Sequence, residues 1–132
     1  MAEKKLLGRE DVLKTDDSMT EYVEVDEWGG TVKVKGLTGN ERDRYESSLV
    51  KGTGRNREVT MKAARAKLVV LGTIDEEGKQ VFNSKDVAAL GKKSAKALNR
   101  VANAIQKLSG LTADDMEELT GNSDDGQNED SI

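Results

Sequence analysis

Residues 22–35 read YVEVDEWGGTVKVK, and across them apolar and polar side chains alternate with a period of two. Val23 and Val25 share one face, and beyond the glycine pair Val32 and Val34 do the same, while Glu24, Lys33 and Lys35 point the other way. This pattern predicts a β-hairpin with one valine face, in which Gly29 and Gly30 supply positive φ for a tight turn and Trp28 covers the sheet beside it. A lone hairpin is marginal in water, so something must cover the valines. The whole chain, at 132 residues, is one domain's worth, and the segments downstream are the expected cover.

Those segments read as helices. Thr38 and Glu41 stand at capping-box spacing and predict a helix through ERDRYESSLV, with Tyr45 and Leu49 turned inward. Residues 51–57, KGTGRNR, interrupt it as a basic, glycine-rich loop. A central helix is expected over residues 58–71, burying Val59, Ala63, Ala66 and Val70, with Ala64, Leu68 and Leu71 widening the stripe. DEEG at residues 75–78 reads as a turn, after which KQVF pairs briefly with residues 70–74. Asn83 has the place of a helix N-cap, with Asp86 three residues on and Phe82 and Val87 as a hydrophobic staple. Ser94 opens a longer helix in which Ala95, Leu98, Val101, Ala102, Ile105 and Leu108 keep helical spacing up to a stop at Gly110. A last short helix is expected from Thr112, with Asp115 at its third position and Leu111 stapled to Met116.

The expected fold class is therefore α+β: an N-terminal β-hairpin packed against a small bundle of four or five helices, with disordered termini. Residues 1–21, whose Leu6, Leu7, Val12 and Leu13 can form a short helix at GREDVL, are expected to be a flexible arm. Residues 22–120 make a single domain, and residues 121–132 a disordered acidic tail.

Two absences narrow the chemistry. Without cysteine or histidine the chain has no disulfide, no usual zinc ligand, no imidazole base and no Ser-His or Cys-His nucleophile pair. No enzyme and no cofactor is expected. GTGRNR reads as a solvated connection rather than a phosphate cradle, and LGKKS at residues 90–94 departs from a Walker A ending. Acids at residues 75–77 belong to a turn and those at 114–118 to a helix start, while those at 124–130 lack the ligand order of an EF-hand loop, so no metal site is expected.

The tail from Gly121 carries four acids and no base, which leaves the body with 21 acids against 21 bases. A neutral body lacks the positive field of a general nucleic-acid surface. No apolar run approaches the ~20 residues of a membrane span, and MAEKKLLGRED lacks the apolar stretch of a signal peptide, so a cytoplasmic protein without a membrane partner is expected.

VEVDEWGGTVKVKGLTGNERDRYE, from Val23 to Glu46, resembles the start of the tail assembly chaperones of long-tailed, non-contractile phages (siphoviruses) and prophages. The likeness continues through IDEEGKQVFNSKDVAALGKKSAKALNRVANAIQKLSGL and covers roughly residues 9–120, with Asp26 where family members often carry proline. The resemblance implies a non-catalytic assembly factor that binds the long, hydrophobic, helical tape measure protein, keeps it soluble in the host cytoplasm during tail tube polymerisation, and is absent from the mature virion. It also implies that a programmed frameshift can yield a longer form recruiting tail tube protein, with the tail from Gly121 as the junction, and that the chain self-associates.

A neutral, alanine-rich helical body can offer shallow apolar grooves to an amphipathic helix. On that basis the expected partner surface comprises Trp28 and Tyr45 near the hairpin, and Leu98, Val101, Ile105 and Leu108 where the last long stripe is exposed. Each of these residues is equally explained as core. The competing functions are a connector or tail-completion protein of the virion, and a small nucleic-acid-binding regulator using Arg55, Arg57, Lys92 and Lys93.

Overall fold

A computed structural model describes residues 5–52, 55, 58–61 and 63–111. The order along the chain is α1 (Arg9–Leu13), β1 (Thr20–Val25), β2 (Gly30–Lys35), α2 (Gly39–Ser48), β3 (Val50–Lys51), β4 (Glu58–Val59), α3 (Ala64–Gly72), β5 (Thr73–Ile74), α4 (Val87–Leu90) and α5 (Ala95–Leu108). The fold is α+β: a three-stranded antiparallel sheet in the order β1-β2-β5, a two-stranded β3-β4 ribbon and, among the described residues, five helices.

The hairpin forms with Val23 opposite Val32 and Val25 opposite Gly30. Its turn differs from the expectation. Asp26–Trp28 make one 3-10 turn closed by Gly29 at φ 75°, and Gly30 is the first residue of β2 rather than a second positive-φ position. A four-residue loop of this kind needs only one left-handed residue.

β5 was not expected as a member of this sheet. Thr73 and Ile74 pair with Val34 and Lys33, and the chain then turns on Asp75, whose carboxylate accepts from the N–H groups of Glu77 and Lys79 at 2.8 and 2.9 Å. Gln80 returns opposite Ile74, the brief pairing read from KQVF.

Local chemistry sets the helix ends. Thr38 Oγ1 accepts from the Glu41 N–H at 3.1 Å, and the Glu41 carboxylate accepts from the Thr38 N–H at 2.9 Å, a reciprocal cap of about 1 kcal/mol. Burial works to raise the Glu41 pKa, but the Lys35 ammonium and the Thr38 N–H outweigh it and hold the carboxyl below its ordinary value. Asn83 caps the next turn through the Lys85 N–H, and Ser94 caps α5 through the Ala97 N–H. At the far end of α5 the Leu111 N–H reaches the Gln106 carbonyl and the Gly110 N–H the Lys107 carbonyl, the Schellman pair that ends a helix. The helix expected from Thr112 and the tail expected at 121–132 lie outside the described residues.

The central helix begins later than its sequence pattern predicts. Glu58 and Val59 are in β4, paired with β3, and α3 starts only at Ala64 because Ala63 sits in the left-handed region at φ 59° and cannot continue a helix toward its N-terminus. β-branched Val59 and Thr60 favour the extended state there. Ala63→Gly is expected to stabilise the domain by about 1 kcal/mol by removing this strain. A rise in the urea midpoint at unchanged slope checks it.

The core lies between the valine face and the helices. Val23, Val25 and Val34 of the sheet pack with Tyr45 and Leu49, with Ala66, Leu68, Val69 and Val70 of α3, and with Ala97, Leu98, Val101, Ala102 and Ile105 of α5. α3 is buried around most of its circumference and is the central helix. α5 lies across both α3 and the hairpin. Two close approaches lock that crossing. Gly36 meets the backbone of Leu108 and Ser109, and Gly72 meets the side chain of Ile105. Ser109 Oγ accepts from the Leu37 N–H at 2.8 Å and donates to the Ile105 carbonyl at 2.5 Å, tying the exit of the hairpin to the end of α5.

Candidate functional site

The six residues expected to bind a partner divide by depth. Leu98, Val101 and Ile105 are buried in the core, on the face of α5 turned to α3 and the hairpin. Leu108 and Trp28 are half-buried and pack on the core edge. Tyr45 is 1% exposed.

Trp28 is held at the hairpin tip by its neighbour. Glu27 accepts two charge-assisted hydrogen bonds from Arg100 of α5, at 2.7 and 3.1 Å. This pairing holds the Glu27 carboxyl at about 2, from an ordinary 4.5. A carboxyl depressed on folding contributes stability above its unfolded value and loses it as pH falls through its folded value. The melting-temperature difference between the wild-type chain and Arg100→Ala is therefore expected to be full at pH 7 and to close between about pH 4.5 and 2. A difference that does not change with pH would show that Arg100 acts through packing alone.

Tyr45 forms the floor of a groove. α2, α3 and α5 leave a cavity of about 300 Å³ between them, lined deep down by Tyr45, Leu68 and Ala102. Arg65 stands at its mouth, its Nε donating to Asn99 Oδ1 at 2.8 Å, and Asn103 and Gln106 continue the rim along α5. The Tyr45 hydroxyl is buried without a hydrogen-bond partner among the described residues, and burial pushes its pKa up to about 12. Deleting an unpaired buried hydroxyl removes a desolvation cost. Tyr45→Phe is expected to be neutral or to stabilise by about 1 kcal/mol in thermal melts. A loss of stability would mean that the hydroxyl has a partner.

Sequence reasoning named Tyr45 but not the rim. Asn99, Asn103 and Gln106 sit four and three residues apart, a polar row beside the apolar stripe of α5, and that spacing was the available signal. A second depression of about 210 Å³ shares Met61, Ala64 and Arg65 with the first and reaches Lys93 and Leu98. A third, of about 430 Å³, is lined by residues of β1, β2 and β5 together with Val81 and Phe82. There Glu76 accepts from the Tyr22 hydroxyl at 2.8 Å and pairs with Lys33 at 3.4 Å, contacts that lower its pKa and raise that of Tyr22. The arm adds an exposed apolar set, with Leu6 at 95% exposure and Leu7, Val12, Leu13 and Met19 all exposed. Among the described residues no helix is long and apolar enough to cross a membrane.

A sheet backed by helices is an architecture shared with a solved protein. The structure described as that of the bacteriophage HK97 tail assembly chaperone matches with a TM-score of 0.51 at 15% identity, over 76% of this chain and 86% of that chain. At that identity the likeness is one of fold. No curated protein sequence matches. The model of the phage tail assembly chaperone family matches residues 12–122, and the chain belongs to that family.

Proposed function

We propose that this chaperone binds the tape measure protein of a long-tailed, non-contractile phage or prophage and holds it soluble while the tail tube polymerises. It acts without catalysis in the host cytoplasm and leaves before the virion is complete. The observation that carries the reading is family membership across residues 12–122. The grooves and the exposed apolar arm support it, because a client rich in amphipathic helix needs apolar surface to replace its missing partners.

In this reading Trp28 and Leu108 touch the client, Tyr45 lies beneath it, and Leu98, Val101 and Ile105 hold α5 in place from behind. The exposed arm serves self-association. A longer frameshifted form, joined at the tail from Gly121, would bring tail tube protein to the complex.

Co-expression with the tape measure protein encoded alongside tests the proposal. The expected result is a soluble tape measure protein that co-purifies, with no chaperone in purified particles. A tape measure protein that stays insoluble, with this chain present in mature particles, would replace the reading with a structural role in the virion.

A further inference from the structure

The two depressions adjoin at Met61, Ala64 and Arg65 and follow one another along α5, from Gln106 to Lys93 just ahead of its N-cap, as a trough in two parts. The intervening stretch of helix rises about 17 Å, the length of three helical turns. Its floor is Tyr45 in the first depression, flanked by small and aliphatic side chains, Ala64, Leu68, Leu98 and Ala102. Among the described residues its charged lining is cationic, Arg65 and Lys93. Among the described residues neither cation is in an ion pair, since Arg65 bonds only the neutral amide of Asn99. The N-terminus of the 14-residue α5 adds partial positive charge at the Lys93 end, and the carboxamides of Asn103 and Gln106 leave the other end neutral.

We propose that this trough seats one segment of the client: an acidic amphipathic helix of about three turns. Its apolar face fills the cavity above Leu68 and Ala102, and its carboxylates meet Arg65 and Lys93. It runs antiparallel to α5, so that its negative C-terminal end lies at the positive N-terminus of α5. A basic helix is rejected, because it would bring like charge against two cations that have no counter-ion among the described residues. The proposal rests on the chaperone reading and names the class of segment bound.

The test uses the full chain co-expressed with the tape measure protein. The chain has no cysteine, so Asn103→Cys gives one attachment point for a benzophenone maleimide. Crosslinks are expected on a tape measure segment carrying acids and apolar residues at helical spacing. Arg65→Glu with Lys93→Glu, and separately Asn103→Trp, are expected to weaken the complex about tenfold or more at unchanged melting temperature, the charge pair more so at low salt. Changing the crosslinked acids to lysine is expected to restore binding to the charge-reversed chain. Should the charge-reversed chain prove unfolded, the Asn103→Trp affinity and the crosslinks decide.

Unchanged affinity in both variants while the tape measure protein still co-purifies overturns the trough and leaves the chaperone reading standing. Crosslinks to residues 114–118 of this chain also overturn it, by showing that the chain's own acids occupy the trough. Failure of the wild-type chain to co-purify the tape measure protein removes the chaperone reading and this proposal together.

Discussion

Gly36→Ala is expected to destabilise the domain by about 2–4 kcal/mol, enough to leave a marginal domain partly unfolded at 37 °C. A Cβ at this position would lie 2.5 Å from the carbonyl oxygen of Leu108 and 2.8 Å from its carbonyl carbon. The obstacle is backbone, so no rotamer change relieves it. Relief requires α5 to withdraw from the hairpin, which breaks the hydrogen bond from the Leu37 N–H to Ser109 Oγ and opens the valine face. Denaturant titration reads the loss directly. A midpoint within about 0.5 kcal/mol of wild type would show that the crossing of α5 over the hairpin is looser than its geometry implies.

Gly72→Ala meets a different obstacle. Its Cβ would sit 2.6 to 2.7 Å from three side-chain carbons of Ile105, a residue with no exposed surface. Overpacking of this kind costs about 1–3 kcal/mol. The neighbour here is a side chain, and shortening it makes room. Ile105→Ala, which removes Cγ1, Cγ2 and Cδ1 together, alone costs about 2–5 kcal/mol through the space it leaves. The two changes together are expected to cost less than their sum by at least about 1 kcal/mol, because each fills the space the other disturbs. Strict additivity would mean that α3 shifts bodily instead. No partner substitution is expected to rescue Gly36→Ala in this way.

The sequence made some elements legible and hid others for physical reasons. The cap at Thr38 and Glu41, the cap at Asn83, the start at Ser94 and the stop at Gly110 all rest on contacts a few residues apart, and each stands where the spacing placed it. The hairpin was legible for the same reason, since strand pairing across a four-residue turn is local. β5 was not, because Thr73 and Ile74 become a strand only through Val34 and Lys33, about forty residues away in the chain.

The candidate site was legible in part. The stripe of Leu98, Val101 and Ile105 shows which face of α5 is apolar, but the same spacing suits a face covered by the chain's own α3 and hairpin or one left for a partner. The groove itself is a gap between three helices and belongs to none of them. Only Tyr45 and the row Asn99, Asn103 and Gln106 leave a trace of it in the sequence, as polar atoms placed beside an apolar stripe.

The hydrogen bond between Leu37 and Ser109 spans 72 positions and governs the order in which the nascent chain can mature. During synthesis the hairpin leaves the ribosome long before the helix that shields it. At ordinary rates of translation the interval is roughly 4–15 seconds. Through that interval Val23, Val25 and Val34 have no finished cover. A protein whose proposed work is to shelter another chain's apolar helices thus passes its own early life with an unsheltered strand pair, and depends on α5 to become its own first client.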